Sequence, residues 1–101
     1  MVQKINVAQK FRTLADQWRA GTIHISSSSQ MAMHPAYQQI IGMGAEAIPL
    51  LLNELKLRPD HWSWALRAIT GEDPVKQEHR GKLSLIAQDW IEWGKEHGYL
   101  S

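Results

Sequence analysis

Cysteine is absent from the 101 residues, which removes disulfide staples, thiolate metal sites and cysteine nucleophiles together. No run approaches the ~18–20 consecutive apolar residues of a membrane-spanning helix. Met1-Val2-Gln3-Lys4 lacks the apolar stretch of a secretory signal. Cytoplasmic residence without a membrane partner is therefore the default expectation. An excess of one charge is missing too. Eleven Lys and Arg stand against ten Asp and Glu, a formal net charge of +1, with the signs interspersed. That leaves no broad electrostatic case for DNA, RNA or an anionic membrane.

What the chain does have is tryptophan: Trp18, Trp62, Trp64, Trp90 and Trp93. A chain of this length predicts a single domain spanning residues 1–101, able to fold alone with little surplus stability. Each fully buried indole removes ~150–250 Å² from water, so a few supply much of a small core. The same residue type is enriched at interface hot spots, and five rings need not all face inward.

The periodicity predicts an all-α fold. From Asn6 to Arg19, Ile5, Ala8, Phe11, Leu14, Ala15 and Trp18 recur at three- and four-residue intervals and line one helix side. Gln9, Lys10, Arg12, Asp16 and Arg19 fit the wet side, and Gly21 ends the helix. This amphipathic helix either docks across the rest of the domain or is lent to a partner. Thr22-Ile23-His24-Ile25 has strand propensity without an evident partner strand. Residues 22–30, with the run Ser26–Ser29, read as a flexible connection, Ser29 offering a cap for a following turn.

Two helices follow, His34 to Met43 with Pro35 in its first turn, and one from about Glu46 with Pro49 in its opening turn. Gly42 or Gly44 serves the junction between them, and Ile48, Leu51, Leu52 and Leu55 form the firmest buried stripe. Asp60 is placed to cap a helix through Trp62, Ala65, Leu66 and Ile69 that Gly71 stops. Glu72–Gly81 reads as a charged loop. The last helix spans about Lys82 to His97, with Leu83, Ile86, Ala87, Trp90 and Trp93 or Gly94 as its candidate inward stripe.

The stretch Ile40-Ile41-Gly42-Met43-Gly44-Ala45-Glu46-Ala47-Ile48-Pro49-Leu50-Leu51-Leu52-Asn53-Glu54-Leu55 resembles the helix junction and second helix of a HEAT-like repeat. Trp64-Ala65-Leu66-Arg67-Ala68-Ile69-Thr70-Gly71 resembles the opening helix of a neighbouring unit. The resemblance covers Pro35 to Gly98. It implies a small HEAT-like array of antiparallel helices with core packing by Ile48, Leu51, Leu52 and Leu55. It also implies that Trp64 and Arg67 sit nearer a recognition surface. Such a family supplies binding geometry rather than defined chemistry. The long segment Glu72–Arg80 and the lack of a third unit depart from the family pattern.

Chemistry-bearing motifs are sparse. His24, His34, His61, His79 and His97 fall in different elements without metal-ligand spacing, so no metal or cofactor is expected. Glu72, Asp73, His79 and Arg80 could form a polar cleft, but no nucleophile arrangement, phosphate loop or paired-carboxylate signature accompanies them. The expectation is a protein that is not an enzyme. Trp62 and Trp64 are separated by about 200° around a helix, so they cannot share a direction. With Trp62 in the core, Trp64 forms either a second packing layer or an exposed aromatic anchor. A similar split separates Trp90 from Ile91.

These readings predict a noncatalytic protein-interaction domain, such as an adaptor, an accessory subunit or an antitoxin-like inhibitor. Trp64, Arg67, Lys76, Arg80 and Ile91 are its candidate protein-binding residues, and a homo-oligomer is a variant of the same idea. The alternative is a nucleic-acid-binding accessory protein using Lys76, Arg80 and Lys82.

Overall fold

The computed structural model describes residues 6–101. Helix α1 (Val7–Gly21) starts where Asn6, in extended backbone, accepts hydrogen bonds from the Ala8 and Gln9 N–H groups. That supplies acceptors to amides with no partner inside the helix. Phe11, Leu14, Ala15 and Trp18 are buried as the spacing predicts, whereas Ala8 is exposed. Ile5 lies outside the described residues. Thr22–Ile25, despite its strand propensity, forms no strand. Thr22 is buried at the end of α1, its hydroxyl donating to Trp18 O at 2.7 Å, and Ile25 N–H closes a turn onto Thr22 O. The β-branched residues serve a helix end because no second strand pairs with them.

Short α2 (Ser28–Ala32) is capped by Ser27 rather than Ser29. Helix α3 (Pro35–Gly42) carries Pro35 in its first turn, and His34 Nδ1 accepts from Ala36 N–H at 3.1 Å. A 3₁₀ turn, Gly44–Ala47, joins it to α4 (Ile48–Leu57), which begins two residues later than the sequence suggests. Gly44 has φ +70°, a left-handed conformation that side chains disfavour, whereas Gly42 is the last residue of α3. Helix α5 (Ser63–Thr70) ends at Gly71, which is left-handed. After a second 3₁₀ turn, Gln77–His79, α6 runs Leu83–Glu96.

The described residues thus form six α-helices and no strand. Helix α1 packs on α3 and α3 on α5, while α4 packs on α6. At the centre the Trp18, Tyr37 and Trp62 rings lie 4.4–5.5 Å apart, Tyr37 stacked on Trp62 at 8°. Such pairs add about 0.5–1.5 kcal/mol each beyond the area they bury. Trp90 and Trp93 form a second aromatic group on α6, edge to face at 5.4 Å.

Asp60 does not cap α5. Trp62 precedes the helix in helical backbone without a side-chain cap, and Asp60 Oδ1 accepts from His61 N–H while its Oδ2 accepts from Arg19 Nε at 3.3 Å. The cap comes from another helix. The Tyr37 hydroxyl accepts from Ala65 N–H at 2.9 Å and donates to His61 O at 2.9 Å, so one phenol satisfies an amide and a carbonyl at the start of α5. Burial pushes the Tyr37 hydroxyl well above its ordinary pKa, and the Ala65 bond offsets only part of that.

Candidate recognition groove

At the start of α5, Trp62, just before the helix in helical backbone, turns inward and Trp64 outward, as the two-residue offset requires. Trp62 is fully buried. Trp64 is 42% exposed, while Trp18, Trp62, Trp90 and Trp93 are all buried. One turn along, the Arg67 guanidinium lies 6.0 Å from the Trp64 ring centroid, within cation–π range. Arg67 side-chain exposure is 44%.

The loop after α5 brings Arg80 to the same place. Asp73 organises it: Oδ1 accepts from Val75 N–H, and Oδ2 accepts from Arg80 Nη2 at 3.0 Å with Arg67 Nη1 at 3.8 Å. Burial would raise the Asp73 carboxyl, but the Arg80 and Val75 hydrogen bonds and the two guanidinium charges hold it below the usual range. The loop is fixed from beneath by Val75, which is buried, and by Asp89 of α6. Asp89 Oδ2 accepts from Lys76 N–H at 3.0 Å and meets His79 Nδ1 at 2.7 Å. Against the effect of burial, those two bonds hold Asp89 below its ordinary pKa.

The result is a groove of about 230 Å³ with Trp64, Arg67 and Arg80 in its walls, together with Val75, Leu83 and Ile86. Three of the five candidate residues therefore meet. Lys76 does not join them; its side chain lines a different cavity with Asp89, Glu92 and Glu96. Ile91 is half-buried and packs against the core, since α6 turns it toward the bundle rather than toward the groove.

Glu72, Asp73, His79 and Arg80, which could have formed one polar cleft, are divided among separate partners. Asp73 holds Arg80, His79 is tied to Asp89, and Glu72 accepts from Trp93 Nε1 at 3.3 Å and lies 4.0 Å from His97 Nε2. Among the described residues no three His, Asp or Glu side chains are grouped to hold a metal ion. No described helix is long and apolar enough to cross a membrane.

A charged cluster that the sequence reading did not anticipate lies between α1 and α4. The Glu54 side chain, 3% exposed, accepts from Arg12 and from Arg19 Nη2 at 2.7 Å, and Arg19 continues to Asp60. Arg19 was expected on the wet side of α1; it is instead largely covered and lies 6.0 Å from the Trp62 ring centroid. Burial would raise the Glu54 carboxyl, yet the arginine hydrogen bonds outweigh it and hold it below the usual range. The available signal was the position of Glu54 between Leu51, Leu52 and Leu55, all of them buried.

Comparison of the chain with protein-family models, curated proteins and solved structures finds no match.

Proposed function

We propose that the protein is a noncatalytic recognition module whose contact surface is the Trp64–Arg67–Arg80 groove. The observation that carries this reading is the exposure of Trp64 beside two partly free guanidinium groups, on a loop and helix held rigid from behind. Trp and Arg are residue types enriched at interface hot spots, and here a partly exposed indole has an arginine 6.0 Å from its ring centroid. The scaffold reads as a HEAT-like two-layer array; in support, α3 packs on α5 in one layer and α4 on α6 in the other. Helix α1 then covers the open face of α3, where a further repeat would otherwise stack. Cytoplasmic residence and an adaptor, accessory-subunit or antitoxin-like role belong to the same proposal.

The test is affinity capture at native expression level from the source cells, with the folded Trp64→Ala/Arg67→Ala variant in parallel. A stoichiometric protein held by the wild type and lost from the variant is expected. Equal retention by both would contradict the assignment of the groove. Recovery abolished by nuclease would put a nucleic acid in place of the protein partner.

A further inference from the structure

We infer that the groove takes an acidic side chain from a partner protein, presented next to an apolar residue; this rests on the recognition reading above. Size argues first. At about 230 Å³ the groove falls short of the ~300–1,000 Å³ of pockets that bury a small-molecule ligand, and suits side chains of a larger partner.

Charge then selects the side chain. The acids of the groove are already engaged: Asp60, in its wall, accepts through both oxygens, from His61 N–H and Arg19 Nε, and Asp73, beside it, accepts through both, from Val75 N–H and Arg80. The arginines are not saturated. A guanidinium carries five N–H donors, and Arg80 commits one of them to Asp73 while being 56% exposed. Arg67 approaches the same oxygen only at 3.8 Å, beyond hydrogen-bond distance. Two cations thus share one carboxylate, leaving one positive charge and several N–H groups for an incoming carboxylate. Arginine recognises that group in a planar, two-bond fashion.

The apolar neighbour follows from the other walls, where Trp64, Leu83 and Ile86 offer carbon surface beside the two guanidinium groups. A nucleic acid would need a row of cations along its phosphates. Of the two lysines of the same loop, Lys76 lines a separate cavity with Asp89, Glu92 and Glu96, and Lys82, although exposed, does not line the groove. A single excess charge matches one carboxylate.

The test is selection of a random twelve-residue peptide library, displayed on phage, against the intact protein. Selected peptides are then synthesised and titrated by fluorescence anisotropy, with a labelled single-stranded DNA 12-mer alongside. Enrichment of Asp or Glu next to Leu, Ile, Phe or Trp is expected. Changing that acid to its amide should weaken binding about tenfold on the wild type and about twofold or less on Arg67→Gln/Arg80→Gln, with helicity by circular dichroism unchanged. Trp64-dependent peptides without an acidic preference would overturn the acidic assignment and leave the groove reading standing. Absence of any Trp64-dependent peptide would overturn both. DNA binding tighter than that of every peptide, and lost with the arginines, would overturn the proposal in favour of a nucleic acid.

Discussion

At the scale of single residues, two buried polar groups hold elements together that the sequence places far apart. The Tyr37 hydroxyl replaces the missing side-chain cap of α5. Tyr37→Phe keeps the stacked ring and removes only the oxygen, leaving Ala65 N–H and His61 O without that partner. A loss of about 1–3 kcal/mol in urea unfolding is expected, the cost of an unsatisfied buried group. A loss below a few tenths would mean that Ala65 N–H is satisfied elsewhere.

Glu54 gives a pH signature. Its folded pKa is lowered, so its stabilising contribution is fully present above the ordinary glutamate value of ~4.3 and is lost as pH falls through the lower folded value. At pH 7, Glu54→Gln should cost about 2–3 kcal/mol, at or below the lower end of the ~3–5 kcal/mol for a broken buried pair because Arg12 is half in water. The gap between wild type and variant should narrow as pH drops below about 4. Asp73 and Asp89 are lowered in the same sense, so both proteins lose stability in acid; only the difference between them reports Glu54. A gap that stays constant from pH 7 to pH 3 would contradict the account.

At the scale of elements, two helical glycines should respond to alanine with opposite signs. Gly42 ends α3 with no atom near the site of an added Cβ, so Gly42→Ala should gain up to about 1 kcal/mol from helix propensity. Gly94 lies where α6 crosses α4. A Cβ there would sit 2.6 Å from Leu52 Cδ1 and 3.3 Å from Leu100 Cδ1, and Leu52 is itself fully enclosed. Overpacking of that kind costs about 1–3 kcal/mol, enough to outweigh the propensity gain. Thermal melts of the two variants check the pair, with Gly42→Ala melting above the wild type and Gly94→Ala below.

Helices were the legible part of this sequence because their signals are local. Pro35 in the first turn of α3, Pro49 near the start of α4 and left-handed Gly71 after α5 each act within a turn of where they stand. The failures came from partners distant in the chain. Asp60 has the right chemistry and position for a cap, but Arg19, 41 residues earlier, holds its carboxylate. Glu54 meets Arg12 and Arg19 at separations of 42 and 35 residues, which no periodicity encodes. Trp64 was half legible: helical rotation sets it opposite Trp62 but does not say whether another element covers it. The meeting of Arg80 with Arg67 depended on a loop path fixed by Asp73 and Asp89.

At the scale of the whole molecule, four tryptophans support the fold and the fifth stands apart from it. Trp18 and Trp62 close the α1–α3–α5 side, while Trp90 donates from α6 to Ser63 Oγ on α5 and Trp93 donates to Glu72. A recognition role for Trp64 requires that it contribute little to folding, and equilibrium urea unfolding of Trp64→Ala measures that directly. The predicted loss is about 1 kcal/mol or less, as for a surface position with one cation–π neighbour. A loss of about 3–5 kcal/mol, the range for a buried aromatic truncated to alanine, would make Trp64 part of the core and contradict its assignment to recognition.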